Sequence, residues 1–144
     1  MTHLDKGKYD KKHPEGTTVD EGLKKEIEQA VRSNNIACKA AEKIGQKMNV
    51  ALAEVGVGID LLNINIVQCQ LGLFGFEGNE RKTEAAQTVA PDLEKAIRGA
   101  LVGGRLPCAG AWQIADSRGM KRKDVCAACE ALNIKIKPCQ LGAF

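Results

Sequence analysis

Four cations fall within six residues at Arg118-Gly119-Met120-Lys121-Arg122-Lys123, a density that suits contact with phosphates or base edges. Six cysteines supply the other reactive group: Cys38, Cys69, Cys108, Cys126, Cys129 and Cys139. Cys108, Cys126, Cys129 and Cys139 are enough in number for a zinc or iron–sulfur site. Their separations, 17, 2 and 9 intervening residues, do not form a compact chelating loop, and Cys126 and Cys129 lie three apart on an expected helix, on adjoining faces. Core packing is the expected role of most of these thiols, with a metal site or a disulfide as alternatives, and no cofactor is expected. His3 and His13, the two histidines, both precede residue 19. A Ser-His or Cys-His nucleophile pair would need that stretch to fold back, so an acid–base enzyme is not expected.

The chain of 144 residues is 44% hydrophobic and 27% charged, which suits one or two small domains with a core. No apolar run approaches the roughly 18 residues of a membrane span. The first 18 residues are polar and lack the apolar stretch of a secretory signal, so a cytoplasmic place is expected. Tyr9, Phe74, Phe76, Trp112 and Phe144 are the only aromatic side chains. That is too few for a surface that stacks single-stranded bases.

The sequence repeats itself. Residues 19–74 align without a gap on residues 89–144, at an offset of 70, with 18 of 56 paired positions identical. The strongest match runs from Leu62-Asn63-Ile64 to Phe74, against Leu132-Asn133-Ile134 to Phe144. Identities spread over the whole length mean two copies of one fold. Residues 75–88 read as a polar linker, and residues 1–18, with Lys6, Lys8, Lys11 and Lys12, as a flexible, solvated tail.

Within each copy the spacing of apolar residues predicts three helices and a strand. Leu23, Ile27, Ala30 and Val31, matched by Leu93, Ile97, Ala100 and Leu101, lie on one helical face. Asp20-Glu21 and Pro91-Asp92 suit the starts of these helices. Two further helices follow, joined by a tight turn. A small residue stands where they cross (Gly45, Ala115), and a residue tolerant of positive φ stands four positions later (Asn49, Gly119). Ile64 and Ile66, and Ile134 and Ile136, then alternate as a half-buried strand.

This order of a helix, a helix-turn-helix and a strand resembles a winged-helix domain, in tandem and mainly α. One departure stands out: a wing needs a hairpin, and only one strand follows each helix pair. The expected remedy is pairing between the copies, 63–68 antiparallel to 133–138 across a pseudo-two-fold.

Charge separates the copies. Copy one has six Lys/Arg and seven Asp/Glu, and copy two has nine and five. The basic excess surrounds the helix that a helix-turn-helix places in the major groove. Cations at a helix start oppose its dipole by about 0.3–1 kcal/mol each, which argues for a use other than stability. The resemblance therefore implies a double-stranded DNA-binding transcription regulator. Arg118, Lys121, Arg122 and Lys123 would read or clamp DNA, with Lys135 and Lys137 as flanking phosphate contacts. Copy one, with Met48-Asn49-Val50-Ala51-Leu52-Ala53 at the same place, would support or form a homodimer. The alternatives are a winged-helix adaptor that binds protein, or a cysteine-based metal or redox sensor.

Overall fold

Capping and helical periodicity act as the sequence suggests. In the computed structural model, which describes residues 8–76 and 83–144, α1 spans Glu21–Ala30 and buries Leu23 and Ile27. Its N-cap Asp20 accepts a hydrogen bond from the Leu23 amide at 3.1 Å, satisfying one of the amides a helix start leaves unpaired. Helix α2 (Cys38–Met48) and α3 (Leu52–Leu61) follow, and β2 (Asn65–Val67) comes after them. The second copy repeats these elements: α4 (Pro91–Gly99), α5 (Cys108–Arg118) and α6 (Arg122–Ala131). The bounds of α5 and α6 fall 70 residues after those of α2 and α3. Residues 1–7, with His3 and Lys6, and 77–82, the middle of the expected linker, lie outside the described residues.

The turn residues carry the expected backbone. Asn49 and Gly119 are left-handed, with φ of 54° and 64°. The small residues Gly45 and Ala115 are buried just before them, and Val55 and Val125 are fully buried just after. Asn63 and Asn133 are left-handed too, each turning the chain from helix toward strand.

Strand pairing differs from the expectation. Each strand finds its partner inside its own unit, in the segment between that unit's first two helices. A two-residue turn with positive φ at Ser33 and Asn34 closes on reciprocal Arg32 and Asn35 hydrogen bonds of 2.8 and 2.9 Å. It delivers β1 (Asn35–Ala37) to β2, and the two strands pair in parallel with Ile36 opposite Ile66. The second unit makes the same turn at Gly103-Gly104 and the same pairing as a single parallel bridge, Leu106 with Ile136. The direction is parallel because a helix pair, rather than a hairpin, connects the two segments. Ile36 and Leu106 are fully buried, so ladder and core are satisfied together. No antiparallel pairing of 63–68 with 133–138 is needed.

The chain divides into two units whose bounds differ from the sequence repeats. Unit 1 is Met1–Cys69 with Gln140–Phe144, and unit 2 is Gln70–Cys139. Each unit is thus completed by the segment that follows the other copy's strand. Leu71 is buried in unit 2 and Leu141 in unit 1. In unit 2 the buried Thr83 hydroxyl donates to the Leu71 carbonyl at 2.5 Å.

The stretch expected to be a solvated tail is, from Tyr9 to His13, part of unit 1. Tyr9 opens a short 3-10 turn, Tyr9–Lys12, and is 2% exposed. Its hydroxyl donates to Asn65 Oδ1 at 2.6 Å, and the Asp10 amide donates to Asn63 Oδ1 at 3.1 Å. Asp60, a buried carboxylate near the end of α3, receives His13 Nε2 at 2.8 Å and Lys12 Nζ at 3.2 Å. A buried carboxylate costs free energy unless paired, and the arm supplies its partners.

Candidate nucleic-acid interface

The six basic residues singled out by the sequence divide into two groups. Arg118 and Arg122 are engaged in ion pairs within unit 2. Arg118 Nη2 lies 2.6 Å from Asp92 Oδ2, and the guanidinium beside it holds the Asp92 carboxyl below the usual carboxylate range. Asp92 is largely exposed, so solvent screens this pair and it is readily exchanged.

Arg122 is tied down on three sides. Its Nε and Nη2 donate to the two oxygens of Asp116, at 3.2 and 2.8 Å, a bidentate geometry that adds both energy and orientation. Its Nη1 donates to Gln70 Oε1 at 2.9 Å, and its guanidinium carbon lies 3.9 Å from the centroid of the Trp112 ring. The pairing with Arg122 also holds the Asp116 carboxyl low. Trp112 is buried, and its Nε1 finds no hydrogen-bond partner among the described residues. The cation stacked on its ring is therefore part of what keeps this side chain in place. Arg122 serves the packing of α5 against α6, and little of it faces solvent.

Lys121, Lys123, Lys135 and Lys137 form the second group. All four are exposed, and none makes an ion pair with another described residue. Lys121 is the N-cap of α6 and Lys123 lies in its first turn, so both stand where the helix dipole is already positive. Lys135 and Lys137 alternate with the buried Ile134 and Ile136. The main chain fixes that alternation, because the Leu106 amide donates to the Lys135 carbonyl and the Lys137 amide to the Leu106 carbonyl, each at 2.9 Å. With the isoleucines turned inward, the lysines must turn outward.

The same places in unit 1 have another character. At the start of α3 the exposed residues are Ala51, Ala53 and Glu54, with no cation among them. Asn65 and Val67 take the outward strand positions and are half-buried, with Asn65 engaged by Tyr9. Part of α6 beyond its first turn is occupied as well: the Ala86 amide donates to the Ala127 carbonyl at 3.0 Å. The accessible basic surface of α6 is thus its first turn.

The cysteines do not gather into one cluster. All six are thiols, none joined in a disulfide. Among the described residues no three His, Cys, Asp or Glu side chains come together as a metal site, so Cys108, Cys126, Cys129 and Cys139 are not gathered into one. Cys126 and Cys129 are fully buried. Burial pushes the Cys129 thiol up to about 12, helped by Cys126 and Glu130, and a thiol in that state is a poor nucleophile and a poor ligand.

Sequence reasoning missed the Tyr9, His13 and Asp60 cluster. Its one signal was a carboxylate in the otherwise apolar run Val55–Leu62. Comparison with protein-family models, with curated proteins and with solved structures finds no match. Among the described residues no helix is long and apolar enough to cross a membrane.

Proposed function

We propose that unit 2 binds the phosphate backbone of double-stranded DNA, with α5 and α6 acting as a helix-turn-helix and the first turn of α6 as the contact. The observation that carries this reading is the contrast between units. At equivalent exposed positions, unit 2 has Lys121 and Lys123 where unit 1 has Ala51 and Ala53. Unpaired cations at the positive end of a helix cost stability, and an anionic partner reverses that cost. Lys135 and Lys137 extend the basic surface. Arg118 joins it by exchanging the solvent-screened Asp92 carboxylate for a phosphate. Arg122, among the expected DNA contacts, is assigned instead to holding α6 on α5. Unit 1 supports unit 2 in this scheme, and pairing of two chains through it would present two such helices to a two-fold site.

A second reading is supported by the hydrogen bond from Ala86 to the Ala127 carbonyl. It covers a part of α6 that a recognition helix would keep open, as a protein-binding adaptor would tolerate. Fluorescence anisotropy on a labelled random duplex separates the two. DNA binding predicts that Lys121→Glu with Lys123→Glu lowers affinity at least tenfold while leaving the circular dichroism spectrum unchanged. Equal affinity of the two proteins, or none in either, would favour the adaptor.

A further inference from the structure

Two pairs of thiols hold equivalent places in the two units. Cys38 and Cys108 open α2 and α5, while Cys69 and Cys139 each come three residues after the strand residue that pairs, Ile66 or Ile136. All four are among the 18 identical positions of the repeat, whereas Cys126 and Cys129 have Gly56 and Ile59 as counterparts. The main chain ties the unit 2 pair together. In unit 2 the Cys108 amide donates to the Pro138 carbonyl at 3.0 Å, and that carbonyl belongs to the peptide whose nitrogen is Cys139's. Two residues joined through one hydrogen-bonded peptide stand at about the 4.4–6.8 Å Cα separation that a disulfide spans. In unit 1 Ala37 pairs with Val67 in parallel register, so Cys38 continues one strand as Gln68 and Cys69 continue the other. Core filling accounts poorly for the whole set, because Cys139 is only half-buried.

We propose that Cys108 with Cys139, and Cys38 with Cys69, are thiol pairs that hydrogen peroxide converts to disulfides. Cys139 is the accessible member and meets the oxidant first. Its thiolate sulfur attacks one peroxide oxygen, the O–O bond breaks, and the departing hydroxide takes up a proton to leave as water. The Cys108 thiolate then attacks the sulfenic sulfur of Cys139. An S–S bond forms, the S–O bond breaks, and a second water leaves. Two thiols have lost two electrons and two protons, and one peroxide has become two waters. In unit 1 both thiols are buried, at 6% and 7% exposure, so the same reaction runs more slowly there. Cys126 and Cys129 take no part. Nothing in this chemistry requires DNA.

The test treats the reduced full chain with a few equivalents of hydrogen peroxide, then denatures and alkylates it for peptide mapping without reductant. The six alkylatable cysteines should fall to about four as Cys108–Cys139 forms, then to about two as Cys38–Cys69 follows. Cys108→Ala should leave Cys139 as a sulfenic acid that dimedone traps, and should still form Cys38–Cys69. The pairing would be overturned by a Cys126–Cys129 link as the first product. It would equally be overturned by oxidation of Cys139 to sulfinic acid with Cys108 still reduced, or by no dimedone adduct in the variant.

Discussion

Gly56, buried on α3, lies directly against the main chain of Leu141: a Cβ at position 56 would fall inside the contact distance of the Leu141 carbonyl. Leu141 belongs to the five-residue segment that completes unit 1, so the absence of a side chain at Gly56 is what admits that segment. Gly56→Ala should destabilise the protein by about 1–3 kcal/mol, the usual cost of overpacking a rigid contact. Urea denaturation measures the loss. Faster amide exchange across 140–144 would place it at this contact.

The Asp60 carboxylate holds the arm to unit 1 through His13 and Lys12. Asp60→Ala leaves two cationic or hydrogen-bonding side chains without their buried partner, and should cost about 1–3 kcal/mol. The chain has one tyrosine and one tryptophan, and they lie in different units. Release of the arm should therefore expose Tyr9 to a collisional quencher while the Trp112 emission maximum of the native protein stays where it was.

Gly119 takes a left-handed φ with nothing crowding its Cβ position, so a substitution there meets only backbone strain. Gly119→Val should cost about 1–2 kcal/mol or more. Gly119→Asn should cost much less, since Asn49 holds the same conformation in unit 1. Thermal melts of the two variants distinguish them, and equal melting temperatures would contradict the strain account.

The two classes of cation in unit 2 should respond differently to truncation. Arg122→Ala removes a bidentate ion pair, the Gln70 hydrogen bond and the stack on Trp112, and should lower stability by about 1–3 kcal/mol. Arg122→Lys should recover only part of it, because an ammonium makes neither the fork nor the flat stack. Lys123→Ala should leave stability within about 0.5 kcal/mol. The carboxyls of Asp92 and Asp116 are both held low, so their pairs persist above the ordinary carboxylate range and are lost only as pH falls through the lowered values. Stability from these pairs should thus be intact at neutral pH and decline in strong acid.

Much of this architecture was legible in the sequence, because the repeat allowed each apolar position to be checked twice. The faces of α1 and α4, the buried Val55 and Val125 and the left-handed Asn49 and Gly119 followed from spacing and steric demand. The parallel ladder did not, since one buried residue on each side, Ile36 or Leu106, is too short to show alternation. Ser33-Asn34 and Gly103-Gly104 carry the available signal, since a pair of residues tolerant of positive φ is the signature of a tight reversal. The cations were visible but their partners were not. Arg118 pairs 26 residues away and Arg122 reaches Gln70 across 52, and only folding brings these together. Tyr9 was hidden for a related reason: one ring in a charged stretch has no periodicity to mark it as core.

The proposed contact of Lys121 and Lys123 with DNA phosphates is tested most directly by the salt dependence of binding to a random duplex, comparing wild type with Lys121→Glu, Lys123→Glu. Each phosphate contact contributes about 0.9 to the slope of log K against log salt. Wild type should lose affinity steeply as salt rises, and the variant's slope should be shallower by about 2. Equal slopes in the two proteins would remove α6 from the DNA interface.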